Sequence, residues 1–225
     1  MIDSAKLQQL ATSAQGFTEC YIVGGGPSLR NFDWSVLDGK FVIAINRAYE
    51  VLPNAQIVYF TDDDWYFEHK EQLHKHSGLK VKGSLNTATL QNEEGITQFL
   101  LTGMNSLAVA PGCLSHGRNS SYAAINLAAI HLGFKKIFLL GVDMKWGKTN
   151  DSSTSHWHSG HSRVDPENAY GNMMQAYDTI VAPLRQRGVQ VINVNMPDQT
   201  NLSTFPIVPH HKVFGKPCFG EDGGN

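Results

Sequence analysis

Five runs of four to six residues dominated by apolar side chains limit the fold more than any other feature of this chain. They are residues 20–24 (CYIVG), 41–45 (FVIAI), 57–60 (IVYF), 136–140 (KIFLL) and 189–194 (VQVINV). Near-continuous apolarity over so short a length is the pattern of a strand covered on both faces. Helical segments fit between them. Residues 3–14 carry Leu7 and Leu10 on one side, and residues 63–76 carry Trp65, Phe67 and Leu73. Ser120 or Ser121 can cap a helix with apolar positions Ala124, Leu127, Ala128 and Ile130, which Gly133 stops; residues 168–187 read as a long helix ended by Gly188. Strand alternating with helix predicts an α/β chain with a mostly parallel sheet and helices on both faces. At 225 residues, this is a single Rossmann-like domain over residues 1–211, followed by a flexible Gly- and Pro-containing tail over 212–225. The polar stretch 83–95 reads as a variable insertion, and 189–194 as the final strand.

Composition excludes several classes. Charged residues are only 17% of the chain against 41% hydrophobic, which opposes a disordered regulator. The 18 basic and 20 acidic side chains give a net charge of −2 without a basic run, so no duplex nucleic acid partner is predicted. Cys20, Cys113 and Cys218 are scattered and odd in number, as suits reduced thiols in the cytoplasm. No cationic start with an apolar core and no membrane-spanning apolar stretch is present, so cytoplasmic residence is expected. The composition is compatible with a homo-oligomer.

Four segments could carry chemistry. Gly24, Gly25, Gly26, Pro27 and Ser28 directly follow the first apolar run. Glycines there let backbone N–H groups approach a phosphate, with the Ser28 hydroxyl as a further donor; the competing reading is a plain strand-to-helix turn. Asn46 follows the second run, and Thr61, Asp62, Asp63 and Asp64 follow the third. Polar groups at successive strand ends are where open α/β sheets bind ligands. Asp62 could hold Mg2+ or ribose hydroxyls, or serve as a helix cap, whereas Asp63 and Asp64 read as acids favoured at a helix start. Arg118, Asn119, Ser120 and Ser121 head the Ala-rich helix as an anion site or as ordinary capping. His156, His158 and His161 lie within six residues. They lack Cys or Glu at zinc-ligand spacing, and a catalytic imidazole is the stronger use of one of them.

Taken together and in this order, these segments resemble the bacterial lipooligosaccharide sialyltransferases. They are also similar to a wider GxGPSL group that includes archaeal 6-hydroxymethylpterin diphosphokinase. The likeness runs from about Tyr21 to Asn195 and rests on GGGPSL, Asn46, RNSSYAAINLAAIHLGFKKIFLLGVD and the GHS of Gly160, His161 and Ser162. It implies a glycosyltransferase using a nucleotide-activated donor, a CMP- or UDP-sugar. The Gly-rich loop, Ser120 and Ser121 would hold phosphate, and Asn46 would contact cytidine or ribose. His161 would be the general base on an acceptor hydroxyl, and Asp143 would order the loop after its strand. The chain departs from the sialyltransferases at Gly25 and Thr61, where they carry Asn, and at Lys145, where they carry Tyr. Two other readings follow from the same likeness. One is a Mg2+-dependent pyrophosphokinase with Asp62 at the metal, and the other a non-catalytic nucleotide-binding accessory protein. No firm cofactor is implied beyond that Mg2+.

Overall fold

A computed structural model describes residues 4–86, 93, 95–145, 156–157 and 169–220. Nine strands form one all-parallel sheet in the order β6-β5-β4-β3-β2-β1-β7-β8-β9. They are β1 Glu19–Val23, β2 Phe41–Ile45, β3 Ile57–Phe60, β4 Leu79–Ser84, β5 Ile96–Gly103, β6 Cys113–Ser115, β7 Lys136–Leu140, β8 Gln190–Val194 and β9 Ile207–Val208. The helices are α1 Ser4–Ser13, α2 Asp63–Lys75, α3 Ser120–Asn126, α4 Ala169–Gln186 and α5 His210–Phe214; a π-helical turn, Leu127–His131, prolongs α3. This is the α/β, Rossmann-like architecture expected from the apolar runs.

The central strands alternate their side chains between two cores. On one face Ile22, Ile43, Ile57 and Leu139 pack with Leu10 of α1, Ala124 and Leu127 of the α3 region, and Tyr177 and Ile180 of α4. On the other, Val23, Val42, Val58 and Leu140 pack with Tyr66 and Leu73 of α2. Burial on both faces is why these runs are apolar without interruption. None of the described helices is long and apolar enough to cross a membrane.

Four local expectations are corrected. Gly83 and Ser84, placed in an insertion, finish β4, whose two lysines and glycine hide it from an apolar pattern. β8 is not the final strand, because β9 pairs beyond it at Asn193↔Ile207 and Val194↔Val208. Residues 212–220 are not loose. Cys218 is buried, its carbonyl accepts the Asp33 N–H at 2.8 Å, and Phe219 packs on Phe32 and His210. Finally, neither serine caps α3; Asn119 does, accepting the Tyr122 N–H at 2.8 Å.

The sheet reverses its winding between β1 and β7, since β2 to β6 extend to one side and β7 to β9 to the other. Such a switch point, at the carboxyl ends of the strands, is the general ligand position in open α/β sheets.

Candidate active site

A cleft of about 990 Å³ opens at the carboxyl ends of the strands. Gly24, Gly25, Gly26, Asn46, Thr61, Asp62, Ser120, Ser121 and Asp143 line it, so nine of the sequence candidates come together there. Pro27 and Ser28 do not line it. His161 lies outside the described residues, as does His158.

The Gly-rich turn is committed largely to the protein itself. The Gly24 N–H donates to the Leu140 carbonyl at 2.8 Å and the Gly26 N–H to the Gly141 carbonyl at 2.8 Å. The Ser28 N–H and hydroxyl both donate to the buried Asp143 carboxylate, at 2.8 and 2.7 Å. Asn195 adds a third donor to Asp143 at 2.8 Å. Burial pushes the Asp143 carboxyl above its usual range, and these donors oppose that shift. A Cβ at Gly26 would lie 2.5 Å from this carboxyl, so glycine here lets the turn close on Asp143. Ser28 is therefore not a phosphate donor, and among the loop N–H groups only Gly25's lacks a partner among the described residues.

His156 and Trp157 dock on the same turn. The Trp157 N–H donates to the Gly25 carbonyl at 2.9 Å and its indole N–H to the Gly24 carbonyl at 3.2 Å, while the ring packs on Trp34. This brings the start of the His-rich segment to the cleft edge, where His156 lines the wall.

The acidic triplet divides its roles. Asp62 caps α2 by accepting from the Asp64 and Trp65 N–H groups. Asp63 pairs with Lys82. No cluster of three His, Cys, Asp or Glu suited to a metal ion occurs among the described residues.

Across the cleft, the α3 start is similarly divided. The Asn119 side-chain oxygen Oδ1 takes the Tyr122 N–H, the Ser121 hydroxyl at 2.7 Å and the Tyr177 hydroxyl at 2.8 Å. Ser121 is thus buried in a structural network, whereas Ser120 is half-buried with its Oγ 3.3 Å from Thr61 Oγ1. That hydroxyl pair joins the end of β3 to the start of α3.

Arg118 and Asn46 keep their polar groups available in the cleft, and one further lining residue, His116, escaped the sequence reasoning. The exposed Arg118 guanidinium has no hydrogen-bond or ion-pair partner among the described residues, and neither has the Asn46 amide. His116 is half-buried, and desolvation, aided by Arg118, holds its imidazole below the ordinary range. Its Nδ1 accepts the Arg118 N–H at 3.2 Å, so the neutral ring carries its proton on Nε2. No sequence pattern singles out His116; the β6 terminus it follows is only three residues long. Asn46, Arg118 and Met144, all lining the cleft, have positive φ of 50°, 65° and 52°. Such backbone costs about 1–3 kcal/mol per residue, and it clusters at functional sites. The cleft lining also includes the apolar side chains of Leu85, Leu101, Met104 and Met173.

Fold and cleft define the class: an all-parallel α/β protein of Rossmann-like architecture with a polar strand-end cleft. No family model, curated protein or solved structure matches the chain significantly.

Proposed function

We propose that this protein is a transferase that binds a nucleotide-activated sugar in the strand-end cleft. The observation that carries the reading is the convergence in one cleft of a guanidinium and an amide without partners among the described residues, at Arg118 and Asn46, with a hydroxyl pair at Thr61 and Ser120. Arg118 and the two hydroxyls suit the donor phosphates, since a guanidinium offers a planar fork of N–H donors to phosphate oxygens. The Gly25 N–H and His116 Nε2–H can add to that set. Asn46 suits the base or ribose, because its amide both donates and accepts.

In this reading the acceptor hydroxyl attacks the anomeric carbon and gives its proton to the His161 imidazole. The bond from that carbon to the phosphate oxygen breaks, and the nucleotide leaves with the electron pair, its charge met by Arg118. The sequence likeness supports His161 as the base. The Mg2+-dependent phosphotransferase reading has less support, because Asp62 caps a helix and Asp63 pairs with a lysine.

Calorimetry with CMP, UMP and ATP, with and without Mg2+, followed by donor-turnover assays, tests the proposal. A pyrimidine nucleotide should bind without metal, and Arg118→Ala should weaken it about tenfold or more. His161→Ala should abolish turnover while leaving donor affinity within about threefold, whereas His156→Ala should retain turnover. Binding of ATP alone and only with Mg2+, or full turnover in His161→Ala, would overturn it. Nucleotide binding with no turnover of any donor would leave an accessory protein.

A further inference from the structure

β4 carries a fully buried lysine. Val81 faces the core shared with α3, so the next residue, Lys82, points to the opposite face beside its register partner Phe60, on the side that α2 covers. Its side chain is 0% exposed, and its ammonium pairs with the Asp63 carboxylate on the first turn of α2. Among the described residues it makes no other polar contact. Asp63 is different in kind. Its Oδ1 is buried against Lys82, yet the side chain as a whole is 37% exposed and lines the cleft.

A stability role does not account for this pair. An ammonium has three N–H donors, and burying it with one partner is costly; apolar residues of similar volume at such sites are often neutral or more stable. A carboxylate at a helix start gains from the helix dipole without any buried cation. What Lys82 adds is position: it fixes one oxygen of Asp63 and leaves the remainder of the carboxylate directed to the cleft. A carboxylate only accepts hydrogen bonds, so its complement is a ligand group with donors. Phosphate is excluded by charge. Within a nucleotide, the adjacent hydroxyls of ribose are a donor pair of the kind that a strand-end carboxylate recognises.

Building on the nucleotide reading above, we infer that Asp63 is the acceptor for the ribose hydroxyls of the bound nucleotide, and that the buried Lys82 is its positioning residue. Asp63 thereby determines specificity for ribose over deoxygenated sugars, in a position that a helix-start acid by itself would not disclose.

The test compares CMP and UMP with their 2′,3′-dideoxy forms by calorimetry, alongside thermal unfolding. Wild-type protein should favour the ribose form about tenfold or more, as expected for hydrogen bonds to a charged acceptor. Lys82→Met should keep or raise the melting temperature, because Asp63 stays solvated when the buried cation is removed. The ribose preference should fall to within about threefold while the dideoxy forms bind as before. Asp63→Asn, which retains an acceptor for Lys82 and so protects the fold, should lose the same preference. Equal wild-type affinity for both sugar forms, or a preference that survives in folded Lys82→Met or Asp63→Asn, overturns this inference alone. Absence of binding by any nucleotide overturns the nucleotide reading and this inference with it.

Discussion

Ser28 grips Asp143 twice: its N–H meets Oδ2 at 2.8 Å and its hydroxyl meets Oδ1 at 2.7 Å. The two residues are 115 positions apart, so this pair ties the turn after β1 to the turn after β7 across the switch point. It spends on the fold what the sequence offered as a phosphate donor. Removing the hydroxyl leaves a buried carboxylate with one donor fewer. Ser28→Ala should therefore lower stability by about 1.5–3 kcal/mol, the range for hydrogen bonds to charged groups. Urea unfolding measures this, and a loss below about 0.5 kcal/mol would show that the carboxylate finds another donor.

Asn119 and Ser120 are neighbours with opposite expected behaviour. The Asn119 side-chain oxygen serves three donors, one of them the fully buried Tyr177. Asn119→Ala should cost about 2–3 kcal/mol, as loss of a helix cap combines with buried hydroxyls left short of a partner. Among the described residues, Ser120 makes a single hydroxyl contact, at 3.3 Å at the cleft. Ser120→Ala should change stability by less than about 0.5 kcal/mol and act on nucleotide affinity instead. Paired unfolding and binding measurements on both variants separate the two roles. A large stability loss in Ser120→Ala would contradict the assignment.

His210 predicts the acid response. It is buried between Phe32 and Phe219, neither ring nitrogen has a hydrogen-bond partner among the described residues, and desolvation lowers its pKa to about 4. Between the unfolded value of 6.5 and this folded value, the unfolded chain binds the additional proton. The stabilisation is complete above pH 6.5 and is lost as pH falls towards 4, amounting to on the order of 3 kcal/mol. His210→Leu removes that titration and leaves no polar atom unpaired. The variant should gain stability over wild type at pH 4.5 relative to the difference at pH 7.5. Parallel pH dependence in the two proteins would refute the assignment.

The apolar runs were enough to place β1, β2, β3, β7 and β8, because a strand buried on both faces needs nothing but apolar side chains and short turns. Local sequence also marked Gly133 and Gly188 as helix ends, and both have positive φ, at 78° and 66°. By contrast, β4 to β6 carry polar residues whose burial or pairing depends on distant partners, and β9 is only two residues long. Lys82 is acceptable inside the protein only because Asp63 meets it from another element. The same limit governs the site. Strand-end position brought Asn46, Thr61 and Asp62 into view, since a parallel sheet sends all its carboxyl ends to one side. Which polar groups stay available there was decided in three dimensions. Ser28 and Ser121 are hydroxyls like Ser120, but Asp143 and the Asn119–Tyr177 network claim the first two. A hydroxyl's role follows from which buried groups need its hydrogen bond, and those groups are brought beside it only by the fold.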